Sequence, residues 1–225
     1  NKLNLHMSGM IYDGIASAQL SLLPDEQKDG GIVVDIGGTF TKVSIFKHNC
    51  LHRTAVIPIG GDLITKDVSH CLETSVPEAE RLKIVYGNMM LMRVDKTEEI
   101  SINTKNGRKN IKKLKLCQII EARIKETIKW INNIIPLEFD APYKVALSGS
   151  ATQLTGLVEY ISKQISIPVR ERMISEREQL IENADYNTAI GLVLYALKTK
   201  AIGEKIEEDN EKKQGLANWW KKLFV

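Results

Sequence analysis

Apolar residues recur with two different periods along the first part of the chain. Over residues 9–23 they lie three or four positions apart, which predicts a helix with one buried face. After a polar turn over residues 24–30, the short apolar run from Ile32 to Ile36 predicts a buried strand. From Thr41 to Phe46 the side chains alternate with a period of two, which is the period of a strand. Thr41, Val43 and Ile45 form one set, and Lys42, Ser44 and Phe46 form the other. The glycines between these segments therefore join one strand to the next.

The rest of the chain continues this mixture and predicts an α/β protein. A third strand, residues 51–59, precedes the Gly60-Gly61 turn, and Asp62 or Thr65 is positioned to cap the helix that follows. The later predicted elements are a helix from Pro77 to Gly87, polar strands over residues 93–110, an amphipathic helix over 114–135, a strand from Lys144 and helices over 152–165 and 187–200.

Composition and charge exclude several classes of function. The 225 residues are 43% hydrophobic and 26% charged, as in an ordinary globular protein. A net charge of +3 and few aromatic residues do not indicate nucleic-acid binding. Cys50, Cys71 and Cys117 lie far apart without a Cys-x-x-Cys pair, which fits a reducing compartment. No apolar run reaches the roughly 18 residues needed to span a bilayer.

The glycine-rich turn VVDIGGTFTK, residues 33–42, indicates phosphate chemistry. A Walker loop or a dinucleotide fingerprint needs a helix after its glycines, and here a strand follows. The remaining arrangement is a β-hairpin whose turn amides approach a phosphate, with Asp35 holding a metal ion through water. A hairpin turn without any ligand is the alternative that this stretch alone leaves open.

Two other groups of residues have plainer interpretations. His48 and His52 lie four positions apart without a third ligand, so we expect no metal site there. Met89, Met90 and Met92 occupy an apolar, strand-like run and are expected in the core.

The end of the chain changes composition abruptly. Residues 204–214 form a charged tract too poor in apolar residues to pack, which indicates a flexible linker. Residues 215–225 then place five large apolar side chains on one helical face with two lysines beside it. Tryptophan prefers the headgroup boundary and lysine an anionic lipid surface, so this tail is predicted to bind a membrane as an amphipathic helix. A helix packed on the body is the alternative. The membrane-binding residues are Leu216, Trp219, Trp220, Lys221, Lys222, Leu223 and Phe224.

Five blocks, in this order, resemble one family: FtsA, the actin-like cell-division protein of bacteria. The blocks are VVDIGGTFTK, IPIGGDLITKDV, PEAERLKIVYG, ALSGSATQLTGL with the later Val169-Arg170, and the amphipathic tail after its charged linker. The resemblance covers essentially the whole chain. It implies an actin-like (ribonuclease H-like) ATPase lobe of the α/β class, with a mixed β-sheet, flanking helices and a C-terminal amphipathic helix.

The resemblance also implies how the chain is divided, with the greater part of a first lobe preceding Asn1. The implied segments are residues 1–30 (the end of the first lobe and a linker), 31–186 (the second lobe, with 31–65 and 144–186 facing the nucleotide and 66–143 an inserted subdomain of the FtsZ-binding type), 187–203 (a closing helix), 204–214 (the linker) and 215–225 (the membrane helix).

ATP with Mg²⁺ is the ligand that the resemblance implies. The residues at the matching nucleotide-binding positions are Asp35, Gly37, Gly38, Thr39, Gly61, Glu80, Lys83, Gly149, Ser150 and Ala151. Asp35 would reach the Mg²⁺ through water, and Glu80 with Lys83 would hold the ribose unless they are only a surface ion pair. Thr39 and Phe40 stand where the family has glycine and threonine, so we expect weak binding and at most weak ATPase activity. No catalytic residue is assigned.

The basic segment from Gly107 to Arg123 corresponds, by the same resemblance, to the subdomain that binds the C-terminal tail of FtsZ. That peptide carries acidic and apolar residues, which a basic groove edged by apolar side chains would complement. A solvated charged face is the alternative. The residues assigned to this contact are Lys109, Lys112, Lys113, Leu116 and Arg123.

The implied function is that of a cell-division scaffold at the septum. It would assemble on itself, work with other divisome proteins and tether FtsZ filaments to the cytoplasmic side of the cell membrane. A small-molecule kinase of the sugar-kinase type is an alternative, because DIGGT also resembles the phosphate turns of that class. A third is an actin-like scaffold of the pilus-assembly type. Neither alternative explains a tail rich in tryptophan and lysine.

Overall fold

The computed structural model describes residues 9–135, 143–171 and 186–199. The predicted linker and membrane helix therefore lie outside the described residues. The elements are α1 (Asp13–Ser21), α2 (Pro24–Asp29), β1 (Gly31–Ile36), β2 (Thr41–Lys47), β3 (Cys50–Ile57), α3 (Gly61–Leu72), α4 (Val76–Tyr86), β4 (Glu99–Thr104), β5 (Gly107–Lys112), α5 (Lys113–Ile134), β6 (Lys144–Ser148), α6 (Leu157–Ser162), β7 (Val169–Glu171) and α7 (Asn187–Lys198).

In the described part of the chain, a mixed five-stranded sheet has the strand order β3-β2-β1-β6-β7. The first three strands pair antiparallel, as the predicted hairpins require, whereas β1 with β6 and β6 with β7 run parallel. In register, Asp35 lies opposite Lys42 on one side and Ser148 on the other. The loops after β1 and β6 therefore meet at one edge of the sheet.

Side chains of β1 alternate between the two faces of this sheet, and both faces are covered by helices. Ile32 and Val34 belong to the larger core, which also contains apolar residues of α3, α4, α5 and α6. Val33 belongs to a smaller core on the opposite face, with Ala18 and Leu22 from α1 and the chain just after it. Helix α7 packs against α1 on that second face.

The packing of α1 on α7 is unusually close. A β-carbon at Gly191 would lie 1.9 Å from the backbone oxygen of Ala16, so only glycine fits at this crossing. Two polar contacts lie on either side of this helix crossing. Ser17 Oγ lies 3.2 Å from Thr188 Oγ1, and Lys198 donates to Gln19 Oε1 at 2.8 Å.

Several sequence predictions need correction. Residues 24–30 contain the short helix α2 rather than only a turn, because Pro24 starts the helix and Glu26 accepts from the Leu23 amide at 2.9 Å. The helix predicted over 152–165 begins instead as a 3₁₀ turn, Ser150–Gln153. Gly156, at φ +76°, separates this turn from α6.

The methionine prediction was right for Met89 and wrong for Met92. Met89 is fully buried, and Met90 is partly buried against the same core. Met92 is 97% exposed, because residues 91–93 form a 3₁₀ turn rather than a strand and turn its side chain outward. Among the described residues, no helix combines the length and apolar character that crossing a membrane requires.

Candidate nucleotide site

The glycine turn after β1 is held tightly against the start of α3. The Gly37 amide donates to Phe40 O at 3.0 Å and closes the turn. A β-carbon at Gly60 would lie 2.3 Å from Gly38 O, so the two backbone segments approach as closely as glycine allows. This close contact explains why glycine pairs occur at both positions of the sequence.

Backbone groups of the turn, rather than a side chain, cap α3. The amides of Gly61 and Asp62 donate to Gly37 O at 2.9 Å and to Gly38 O at 2.8 Å. Gly60 is the N-cap, and no side chain caps the helix, so the predicted cap by Asp62 or Thr65 was wrong. The glycine turn and the start of α3 therefore form one connected unit.

Asp62 is instead bonded to the turn through its side chain. Thr39 Oγ1 donates to Asp62 Oδ2 at 2.9 Å, and both residues are exposed. A carboxylate and a hydroxyl thus stand side by side at the turn. The sequence interpretation had treated Asp62 only as a helix cap, although its place directly after Gly61 was a usable signal.

Glu80 and Lys83 lie on one face of α4, as their spacing predicted, and they are joined to α3. Lys83 Nζ lies 2.7 Å from Glu80 Oε2 and donates to Thr65 Oγ1 at 2.9 Å and to Gly61 O at 3.2 Å. Thr65 Oγ1 in turn is hydrogen-bonded to Glu80 and, at 3.0 Å, to Gly61 O. These contacts fix α4 relative to α3 and the glycine turn.

The small-residue turn after β6 completes the edge of the sheet. Gly149 has φ +92°, and a β-carbon there would lie 2.4 Å from Asp35 Oδ1 and from Ile36 O. No other residue fits this position. Ser150 and Ala151 follow in the 3₁₀ turn, next to the loop after β1.

Asp35 is enclosed between these elements. Its Oδ2 accepts a hydrogen bond from Ser17 Oγ of α1 at 3.3 Å, and the side chain is only partly exposed. Burial raises the pKa of the Asp35 carboxyl above its ordinary value of 3.8, and the charge of Lys42 and the bond from Ser17 only partly offset this. Lys42 is itself paired with Asp13.

A cavity of about 330 Å³ lies where these pieces meet. Its volume is within the range of small-molecule sites. Six of the ten residues assigned to the nucleotide line it: Gly38, Gly61, Glu80, Lys83, Ser150 and Ala151. Lining residues that the sequence interpretation did not assign are Asp62, Ile64, Ile84, Gln153 and Leu154.

Chemically, this cavity suits a phosphorylated ligand with a flat apolar part. Its lining combines residues of the glycine turn and the amine of Lys83 with small and apolar side chains such as Ala151 and Leu154. Within the described ranges, no three His, Cys, Asp or Glu side chains are arranged to hold a metal ion by themselves.

The residues assigned to the FtsZ peptide are placed differently from one another. Lys109 is exposed, whereas Lys112 pairs with Glu99 and Lys113 with Glu98. Arg123 binds Asp67 of α3 with two hydrogen bonds, at 2.6 and 2.9 Å, so it joins α5 to α3. Leu116 is fully buried in the core and offers no surface to a peptide.

Comparison with solved structures defines the class of fold. The structure of MreB5 of Spiroplasma citri bound to AMPPNP superposes with a TM-score of 0.66 at 13% identity, covering 84% of this chain and 59% of that one. A MamK double helical filament gives a TM-score of 0.63 at 14% identity, covering 82% and 58%. The fold is therefore that of an actin-like protein, as the sequence predicted.

Sequence comparison then defines the family. The sequence model described as "Cell division protein FtsA" matches residues 32–191. The FtsA of Agrobacterium fabrum is 31% identical over 206 residues, covering 87% of this chain and 46% of that protein. The FtsA of Escherichia coli is 26% identical over 234 residues, covering 97% and 56%. The chain belongs to the FtsA family of cell division proteins, and it spans about half the length of these relatives.

Proposed function

We propose that this chain is the part of an FtsA protein that binds ATP with Mg²⁺ and tethers FtsZ filaments to the cytoplasmic side of the cell membrane at the division septum. The observation that carries the proposal is the family match over residues 32–191. Self-association and contacts with other divisome proteins belong to the same proposal, and the MamK filament supports assembly as a property of the fold.

Nucleotide binding is supported by the cavity, which brings together the glycine turn, Lys83 and the turn at Ser150. Structures with this fold include MreB5 bound to AMPPNP and to ADP. In the proposed arrangement Lys83 and Glu80 face the ribose, Ser150 and Ala151 leave room for the base, and Asp35 reaches Mg²⁺ through water. The Mg²⁺ would neutralise phosphate charge beside the turn.

The side chains at the turn make tight binding unfavourable. Thr39 and Phe40 add bulk where a backbone must approach phosphate, and Phe40 is 46% exposed beside that turn. We therefore propose weak binding by this chain and little or no turnover of ATP. Any scaffold function then depends on assembly and attachment rather than on catalysis.

Recruitment of FtsZ filaments to vesicles tests the proposed function. FtsZ filaments would be mixed with anionic vesicles and floated on a density gradient, with the chain, without it, and with a chain ending at Gln214. Filaments should float only with the complete chain, because attachment needs residues 215–225. Flotation without the chain, or equally well with the shortened chain, would contradict the proposal.

A further inference from the structure

One carboxylate on the wall of the cavity has no role in the assignment above. Asp62 is exposed, lines the cavity with Gly38 and Lys83, and accepts a hydrogen bond from Thr39 Oγ1 at 2.9 Å. Its backbone amide donates to Gly38 O at 2.8 Å, which holds the Asp62 backbone against the glycine turn. A negative charge therefore lies beside the turn where a phosphate would enter.

Asp35, the acid that the sequence assigns to the metal, is placed less favourably. It does not line the cavity, and its carboxylate is engaged by Ser17 on one side and packed against Gly149 on the other. Asp35 can act on a cation only from behind the turn, through water. Asp62 faces the cavity directly.

A carboxylate next to a phosphate turn either repels the ligand or shares a cation with it. Mg²⁺ in nucleotide sites is held by one or two carboxylates together with phosphate oxygens and water. In P-loop nucleotide hydrolases a hydroxyl of the phosphate-binding loop and an aspartate from a separate segment hold the Mg²⁺. Thr39 Oγ1 and Asp62 Oδ2 are such a pair, already side by side at the turn.

We propose that Asp62, assisted by the Thr39 hydroxyl, is a Mg²⁺ ligand of this chain and makes its nucleotide binding depend on the metal. The inference rests on the proposed nucleotide function. The inference also explains the bulky Thr39, because its hydroxyl would contact the phosphates through the metal ion where the turn backbone cannot approach them closely. Without Mg²⁺, the same carboxylate opposes the phosphates.

The proposal predicts that Asp62→Asn strengthens nucleotide binding without Mg²⁺ and removes the gain in affinity that Mg²⁺ produces. In Asp62→Asn the repulsion disappears, so ADP affinity in EDTA should rise by roughly three- to tenfold. The gain in affinity that Mg²⁺ produces in the unchanged chain should fall to near unity in this variant. Thr39→Val, which keeps the shape and removes the hydroxyl, should lose part of the gain. A purely structural role for Asp62 would instead lower affinity equally with and without metal.

The experiment is a titration of the 225-residue chain with ADP, once in Mg²⁺ and once in EDTA. Saturation-transfer NMR detects the binding, because it is suited to the weak affinity that we expect. Asp25→Asn, an exposed carboxylate on α2, controls for the change in net charge and should behave as the unchanged chain. Circular dichroism confirms that each variant is folded.

The outcomes separate the inference from the function on which it rests. If Asp62→Asn keeps the full Mg²⁺ gain, or if only Asp35→Asn removes it, the assignment of Asp62 is wrong while nucleotide binding stands. If the unchanged chain binds ADP under neither condition, the proposed nucleotide function fails and the inference fails with it.

Discussion

Arg170 of β7 binds the carboxylate of Glu26 in α2, across 144 positions of sequence. Its Nε donates to Glu26 Oε1 at 3.2 Å, and its Nη2 donates to the Ser21 backbone oxygen at 2.9 Å. Glu26 is only 6% exposed and also accepts from the Leu23 amide. The pair therefore fastens the last strand of the sheet to the helical segment that precedes the first.

This ion pair makes the stability of the chain depend on pH. Burial by itself raises the pKa of Glu26, but the hydrogen bonds from Arg170 and Leu23 and the charge of Arg170 outweigh it, so the pKa lies below its ordinary 4.5. A carboxyl group whose pKa is lower in the folded than in the unfolded chain stabilises the fold at any pH above its unfolded pKa. This stabilisation is lost as the pH falls through the pKa of the folded chain.

Glu26→Gln should therefore lower the free energy of unfolding by about 1–3 kcal/mol at pH 7, because Arg170 keeps a weaker partner. The difference from the unchanged chain should shrink as the pH falls below 4.5. Urea unfolding at several pH values measures it, with the exposed Asp29→Asn as control. A difference that is the same at pH 7 and in acid would show that shape, not charge, accounts for the loss.

Gly191→Ala tests the close crossing of α1 and α7. Alanine normally favours a helix interior by about 1 kcal/mol over glycine. Here the added methyl would lie 1.9 Å from Ala16 O, so the helices must separate, and we expect a loss of about 1–3 kcal/mol instead. Leu192→Ala, one residue further along and exposed, should change the unfolding free energy by less than about 0.5 kcal/mol. Thermal unfolding that shows Gly191→Ala to be stabilising would mean that the helices do not pack this way.

Binding of the FtsZ tail peptide should depend on the exposed basic residues near β5 rather than on Arg123. Lys109→Glu combined with Lys115→Glu should weaken binding by about 1–2 kcal/mol and reduce its salt dependence, since both side chains are exposed. Lys129→Glu, exposed further along α5, makes half of this charge change away from the proposed contact.

Fluorescence anisotropy of a labelled peptide measures this effect. Weakening by Lys129→Glu of about half the size seen in the double variant would indicate attraction by net charge alone. Arg123 is a poor choice for such a test because its guanidinium joins α5 to Asp67, and reversing its charge would disturb that contact.

Residues 215–225 should attach the chain reversibly to anionic vesicles. Five apolar side chains each gain on the order of 1–2 kcal/mol on leaving water, and each nearby lysine gains about 1 kcal/mol at an anionic surface. Ordering an eleven-residue helix offsets part of that gain, so binding should rise with anionic lipid and fall with salt.

Trp219→Glu should release the chain from vesicles in a co-sedimentation assay, and Asn218→Glu should not, because position 218 lies on the polar face. Both variants add the same charge. If Trp219→Glu instead lowers the thermal stability of the folded part, the tail packs on the body and the membrane interpretation is wrong.

Several parts of the candidate site could be predicted from sequence because they depend on local patterns. The alternation from Thr41 to Phe46 identified the turn after β1 as a hairpin, and the spacing of Glu80 and Lys83 placed both on one face of α4. Burial was harder to predict. Leu116 follows a basic segment and looked available to a peptide, but it lies on the face of α5 that packs into the core.

The sequence by itself determined the hairpin turn after β1, because hydrophobic periodicity and glycine positions act over a few residues, and the resemblance of its blocks to one family implied the actin-like fold. Only the tertiary structure decided which charged groups remain available. It joined Arg123 to Asp67, enclosed Asp35 behind Gly149 and brought Asp62 to the cavity beside Thr39. Those pairings join residues from 23 to 114 positions apart, and the relative position of such residues depends on how helices pack on the sheet, which no local pattern records.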